Sequence, residues 1–492
     1  MMGDKKSSNR AANMMLSSGE GVPVQFAIII TNVFSACSFQ VKGKDPNTGH
    51  SRVLPYELGS RDHTAYQDFF EKLARDFGLR LPRNRQETVM RTFDVTYREV
   101  LIKNLAPGML YGYGDPAVIK VEDDKAGGDA SYYLLSTSND APDSFPIIRS
   151  KDLVSWEFAG YVFPRGQKPE WAKEGEGSDY WAAEMHLVQN EFRVYFVARD
   201  KQTGELCIGL ARSALPCGPF VADPLPIMKG NRIDPHVFVA EDGSAWLYWK
   251  EDNNDIWPAL LVDFLYENPG FITVLFPQEE DQVTASFIVT LWPWARMLDP
   301  MERFQAIQVF IESVIGGYAG FSKKLQALLG NIPQRMQEQV NSVLHHMETP
   351  IFAQQLSTDG SGLVGEQARI LKNDLAWEAH LVEGMWVTKQ SGRFYLFYTG
   401  NDFSTNEYGI GVAVAESPLG PYRKMALPLL QSTESWWAPG HPSLVNDPSG
   451  RPQLFLHAYF PGKAGYKQFR ALLAISVAFT EHAVVIEPAF SP

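Results

Sequence analysis

From Gly114 onward, apolar and polar positions alternate with a period of two in short runs separated by Gly, Asn or Asp turns; "GDPAVIKVED" followed by "ASYYLLSTS" is the first example. Alternation of this kind predicts half-buried β-strands joined as antiparallel hairpins. The phrase returns at Arg232, where "RIDPHVFVAEDGSAWLYW" again sets Asp-Pro ahead of an apolar run, a Gly turn and an aromatic-rich run. One such phrase is an ordinary hairpin, whereas a second marks a repeat. Read in order, the units open on Asp115-Pro116, on "WAAE" at Trp181, on "IDPH" at Ile233, on "VEGM" at Val382 and on "GHPS" at Gly440. Five units of short antiparallel strands predict an all-β, five-bladed β-propeller, in which the first strand of each blade lines a central channel. In that geometry Asp115, Asp234 and Glu383 open three different blades and meet at the channel.

Elsewhere the period changes. The third unit breaks after "YWKEDNN" and resumes at "IFAQQLSTDGSGLVGE". Between them, apolar positions three and four apart predict two or three amphipathic helices, broken at Gly316-Gly317 and between Gly330 and Pro333. This α-helical insertion reads as a structural or dimer-forming subdomain, with a lid over the channel mouth as the alternative. Trp292 and Trp294 are then either anchors to the propeller wall or a sugar platform. Upstream, "HTAYQDFFEKLARDFGLRLP" predicts one helix with Tyr66, Phe69, Phe70, Leu73 and Phe77 on its apolar stripe. The apolar stretch ending at Cys37 is too short to span a membrane and reads as a buried strand. Sequence before Val53 is expected to fray, and "MRTFDVTYREVLIKNL" from Met90 reads as the strand entering the first blade. The division that follows is an N-terminal extension of mixed structure (1–105), the first part of the propeller (106–256), the helical insertion (257–349) and the remaining blades (350–492).

Composition narrows the function. A chain of 492 residues, 45% hydrophobic and 21% charged, has the balance of a soluble globular protein with a large core. Its net charge of −13 excludes nucleic-acid and anionic-membrane partners, which need a basic face. Cys37, Cys207 and Cys217 form neither a disulfide framework nor a zinc spacing. They favour a reducing, cytoplasmic setting over a periplasmic or lipoprotein one. The strand-clustered aromatic residues fill a β core first and stack on sugar faces second.

The five openings, in this order, resemble glycoside hydrolase family 43 over roughly Tyr111 to the C-terminus, apart from the helical insertion. The resemblance implies a five-bladed propeller and inverting hydrolysis of xylosides and arabinosides. It also implies roles by motif: Asp115 as general base, Asp234 as the group that tunes the acid, and Glu383 as general acid. The chemistry agrees. Inversion needs one carboxylate to activate water and one protonated carboxyl to protonate the leaving oxygen, roughly 6.5–9.5 Å apart. A third carboxylate nearby keeps the acid protonated by like-charge repulsion. Trp181 and Glu184 match a pocket-lining motif of the family, with Ala183 where the family usually carries Pro. His236 and His441 are candidate substrate neighbours, and His441 is the candidate for a metal ion, calcium in much of the family, in the central channel. No cofactor is required. Arg470 resembles an arginine that reaches the sugar or the base in exo-acting relatives, and Lys250 is an unusual cation that can alter substrate choice.

The expectation is an O-glycosyl hydrolase, inverting and exo-acting, that cleaves a terminal pentose such as α-L-arabinofuranose or β-D-xylose. Carbohydrate is its partner, and a homodimer is a further expectation. One alternative is a related propeller glycosidase of other sugar specificity, fructosidase-like, although those enzymes carry Asn-Asp-Pro where this chain has Gly114. The other is a non-catalytic carbohydrate-binding propeller, which has no need of three carboxylates.

Overall fold

In the computed structural model, residues 14–31, 37–60, 63–79, 95–123 and 128–487 are described. The chain divides into two compact units, Met1–Val89 with Asn254–Met347, and Met90–Asn253 with Glu348–Pro492.

The first unit opens on an antiparallel sheet of β1 (Met14–Ser17), β2 (Ala27–Thr31), β3 (Cys37–Lys44) and β4 (Ser51–Leu58). Alternation along β2 and β3 buries Ile28, Ile30, Phe39 and Val41 and turns Ile29, Gln40 and Lys42 outward. The expected fraying before Val53 is therefore corrected from Met14 onward: ladder pairing holds the segment. α1 (His63–Phe77) buries the expected stripe, with the Phe69 ring tilted against Phe39 at 4.9 Å.

Seven further helices follow: α2 (Ile256–Glu267), α3 (Ile272–Leu275), α4 (Glu279–Ala295), α5 (Pro300–Ala306), α6 (Gln308–Ile315), α7 (Tyr318–Leu328) and α8 (Gln334–His346). Periodicity predicts two or three. The breaks between α6 and α7 and between α7 and α8 fall where expected. The helices it misses are α2, α3 and α4; α2 is apolar and α4 buried on nearly every side, so neither shows a single apolar stripe in the sequence. Trp292 and Trp294 are each 1% exposed, which excludes a sugar platform. Their contacts lie within the first unit. Trp294 meets Phe39 edge-on at 5.5 Å, Phe287 meets Phe26 at 5.4 Å, and the Trp292 indole donates to Asp263 at 2.5 Å. The insertion and the N-terminal sheet thus form one unit, each burying apolar surface of the other.

The second unit holds five antiparallel sheets. β5 (Arg98–Leu101) comes first in the chain. β6 (Ala117–Asp123), β7 (Gly128–Leu135), β8 (Ser144–Ser150) and β9 (Trp156–Phe163) form the first sheet. β10 (Trp181–Val188), β11 (Glu191–Arg199), β12 (Leu206–Ser213) and β13 (Val221–Ala222) form the second. In the third, β14 (Arg232–Val239) and β15 (Ala245–Glu251) are continued by β16 (Ile351–Leu356) and β17 (Leu363–Leu371), so the sheet resumes across the insertion as the sequence predicts. β18 (Val382–Gln390), β19 (Arg393–Gly400), β20 (Gly409–Ala415) and β21 (Arg423–Lys424) form the fourth. The fifth is β22 (Trp437–Asn446), β23 (Pro452–Tyr459), β24 (Ala471–Phe479) and β25 (Val484–Ile486). β5 pairs with β24 in this last sheet; it does not lead into the first, as the sequence suggested. The opening strands pack in a ring, β6 on β10, β10 on β14, β14 on β18, β18 on β22 and β22 back on β6. The molecule is thus mostly β outside its helical insertion.

Candidate active site

The recurring opening phrase encodes a recurring backbone device. In β14, Asp234 and Pro235 together face Trp249, because the register steps between Ile233 opposite Lys250 and His236 opposite Tyr248. In β18, Gly384 and Met385 face Tyr398 in the same way, and in β10 Ala182 and Ala183 face Phe196. Two residues against one make a bulge, which bends the strand and re-aims a side chain. The backbone turns left-handed at each: φ is +55° at Asp234, +55° at Gly384 and +43° at Ala182, with +52° at Asp115 and +47° at His441. Non-glycine residues hold that conformation where their surroundings over-determine it, as they do at functional sites.

Around Asp115 the partners come from three sheets. Its Oδ1 accepts from Arg470 Nη1 at 2.8 Å, and its Oδ2 accepts from the Thr137 hydroxyl at 2.5 Å. Thr137 in turn accepts the backbone N–H of Ala182, in the bulge of β10, at 2.8 Å. His441 Nδ1 lies 3.4 Å from Oδ1. His457 Nδ1 is 3.5 Å from the same oxygen, but it accepts the Asp115 backbone N–H at 3.1 Å and so carries no proton to share. Burial, followed by the Arg470 charge, pushes the His457 imidazole well below its ordinary value, which fits that neutral state. For Asp115, burial favours the neutral acid. The Arg470 guanidinium, with His441 and the Thr137 hydroxyl, outweighs it and holds the carboxyl well below the usual range. Gly114 is required here, because a Cβ at that position would lie 1.8–2.0 Å from the Arg470 guanidinium.

Asp234 and Glu383 meet across Gly384. Asp234 Oδ2 accepts the Gly384 N–H at 2.9 Å. A Cβ on Gly384 would fall 2.7 Å from Thr399 Oγ1 and 3.1 Å from His441 Nδ1, so glycine alone allows this approach. Glu383 Oε1 accepts from the Tyr408 hydroxyl at 2.7 Å, and Oε2 accepts from Lys250 Nζ at 3.3 Å. Burial first, then the charges of Glu383 and Asp115, push the Asp234 carboxyl up to about 6 against the pull of His441 and Lys250. The structure therefore brings Asp115, Asp234, Glu383, His441 and Arg470 into one cluster.

Other expected site residues lie differently. His236 is 1% exposed; its Nδ1 donates to Glu184 Oε2 at 2.9 Å and its Nε2 accepts the Val387 N–H at 2.8 Å. Glu184, 2% exposed, is also bound by His186 at 2.9 Å. Both ring nitrogens of His236 are thus committed, and the pair ties β10, β14 and β18 together instead of meeting a sugar. Trp181 is half-buried, donates to Asn139 Oδ1 at 2.9 Å and sits edge-on to Tyr466. Among the described residues, no group of three or more His, Cys, Asp or Glu side chains is arranged to hold a metal ion.

Thr137, Thr399, Tyr408 and His457 escaped the sequence reading because none belongs to an opening phrase. A weak signal existed for His457, a polar ring inside the apolar run "LFLHAYF", since buried polar groups need partners.

The profile of the family described as glycosyl hydrolases family 43 matches residues 111–267 and 335–483, more than half of the sequence, and the chain belongs to that family. The gap between the two matched segments lies within the helical insertion. Two curated relatives are similar. A xylosidase/arabinosidase 43A of Humicola insolens is 46% identical over 69 residues, covering 14% of this chain and 21% of that protein. A xylosidase/arabinosidase of Bacteroides ovatus is 20% identical over 287 residues, covering 58% and 66%. The chain thus spans less than two thirds of either. Among solved structures, a thermostable family-43 glycoside hydrolase superposes with a TM-score of 0.53 at 24% identity, over 79% of this chain and 98% of that one.

Proposed function

We propose that the second unit is a five-bladed propeller glycosidase that hydrolyses terminal pentoses, such as α-L-arabinofuranosides or β-D-xylosides, with inversion and in exo fashion. One observation carries the proposal: within a single cluster, Asp115 is held ionised by Arg470 while Asp234, beside Glu383, is pushed up to about 6. Carboxyls driven apart in this way divide into base and acid functions. Asp115, as general base, takes a proton from water as its oxygen bonds to the anomeric carbon. Glu383, as general acid, gives its proton to the glycosidic oxygen, which leaves with the electron pair of the broken C–O bond. Support for pentose specificity comes from the names of the two curated relatives. The test is a panel of nitrophenyl pentosides and hexosides. Turnover confined to pentosides is expected, and turnover of hexosides alone would overturn the assignment.

Asp234→Asn provides a second check. A raised folded value means that the native state holds the proton more tightly than the unfolded chain. Stability is therefore greatest below the usual carboxylate value and falls as pH rises through about 6. Removing the charge should raise stability at pH 7, on the order of 2 kcal/mol, since one pKa unit is worth about 1.4 kcal/mol. Asparagine still offers an oxygen to the Gly384 N–H. Activity should fall, and the alkaline limb of kcat/KM should move to lower pH because the acid loses its negative neighbour. Denaturant melts and a pH–rate profile read both effects; an unmoved alkaline limb would remove Asp234 from the tuning role.

A further inference from the structure

Glu383 is gripped by side chains that no opening phrase contains. Tyr408, 2% exposed and just ahead of β20, donates to Oε1 at 2.7 Å and also lies 2.9 Å from Thr399 Oγ1. Thr399, fully buried on β19, donates to the Glu383 backbone carbonyl at 3.0 Å. Three oxygen–oxygen contacts thus link the carboxyl, the phenol, the threonine hydroxyl and the backbone carbonyl of Glu383 itself.

Proton counting gives this chain of contacts its meaning. Each hydroxyl brings one proton and can also accept. With Glu383 ionised, two protons serve three contacts, and Tyr408 donates to the carboxylate. With a proton on Oε1, all three contacts are bridged: Oε1–H to Tyr408, Tyr408 O–H to Thr399, and Thr399 O–H to the carbonyl. Passing between the two states requires the Tyr408 hydroxyl to turn, and no heavy atom to move. Lys250, on Oε2, cannot do this, because an ammonium only donates. Burial, with the charge of Glu383, pushes the Tyr408 phenol well above its ordinary value, so it stays a hydroxyl throughout.

We propose that Tyr408, backed by Thr399, is a positioning residue for proton donation by Glu383: its hydroxyl accepts from the acid at rest and donates to the carboxylate as the proton leaves. The proposal rests on Glu383 being the general acid. The proton lost by Glu383 goes to the glycosidic oxygen, and Tyr408 ends each cycle with its own proton.

The groups that face Glu383 are Lys250 from β15, Thr399 and Tyr408 from the β19–β20 side, Asp234 from β14 through Gly384, and His441 from β22 against Gly384. Removing the one neutral donor to the carboxylate disfavours the charged form. Tyr408→Phe should therefore move the alkaline limb of kcat/KM to higher pH.

The decisive experiment is a leaving-group series of aryl pentosides, from dinitrophenol to phenol, on the native chain, Tyr408→Phe, Thr399→Val, Glu383→Ala and the Glu383→Ala/Tyr408→Phe double variant. Poor leaving groups need the acid and good ones do not. The rate ratio of dinitrophenyl to phenyl substrate should rise about 10-fold or more in Tyr408→Phe, part of the 10²–10⁴ that acid catalysis supplies. It should rise less in Thr399→Val, and the double variant should match Glu383→Ala alone. A ratio measured within one preparation does not depend on the fraction folded. A native ratio in Tyr408→Phe beside a steep one in Glu383→Ala would overturn the positioning role alone. A native ratio in Glu383→Ala would overturn the acid assignment, and the proposal with it.

Discussion

Replacing Asp115 by Asn should lower kcat/KM on an aryl pentoside by about 10³-fold, the scale of lost general-base assistance. The amide keeps the shape of the carboxyl, the backbone N–H bond to His457 and an oxygen for the Thr137 hydroxyl. It cannot take a proton from water. The left-handed turn at Asp115 tolerates Asn, so circular dichroism should keep its native form, while the melting temperature should fall because the buried Arg470 guanidinium loses its counter-charge. The loss should appear in kcat with little change in KM, as expected for an interaction made chiefly in the transition state. A variant retaining a tenth of native activity would remove Asp115 as the base.

Arg470→Met should have the second large effect, through the same carboxylate. Arg470 and Asp115 form a buried pair at 2.8 Å, and removing one partner of such a pair costs roughly 3–5 kcal/mol by stranding the other charge. Its pH signature separates this from a packing defect. The native carboxyl lies well below the usual range, so its stabilising contribution is present above the unfolded value and is lost as pH falls toward the folded one. Without the guanidinium, burial is opposed by His441 and Thr137 alone. The acid limb of kcat/KM should then rise by about 1–3 pH units, the shift an adjacent opposite charge produces. Measured pH profiles with coincident acid limbs would show that Arg470 does not hold the base ionised.

Much of this site was readable from the sequence because the catalytic candidates stand in the same phrases that form the bulges. Asp234 occupies a bulge, Glu383 precedes one, and both follow from a recurring pattern of strand openings. Gly114 and Gly384 were visible as letters, but their reason is three-dimensional: Arg470 and Thr399 come from other strands to fill the space a Cβ would need. Tyr408, Thr137 and Thr399 were invisible for a related cause, since their roles arise from proximity between strands. His236 misled because a histidine beside an expected catalytic Asp looks like a ligand, whereas its two hydrogen bonds make it a tie between strands. The packing of Phe39 on Trp294 joins segments about 250 residues apart, and no local period records such a contact.

The measurement that bears most directly on the account follows the product of an aryl pentoside by proton NMR within the first minutes, before mutarotation equilibrates the anomers. With Asp115 directing water to the face opposite the leaving group, the first sugar to accumulate should have the inverted anomeric configuration. First appearance of the retained anomer would mean a covalent glycosyl–enzyme intermediate, and with it a nucleophile where the proposed mechanism has a base.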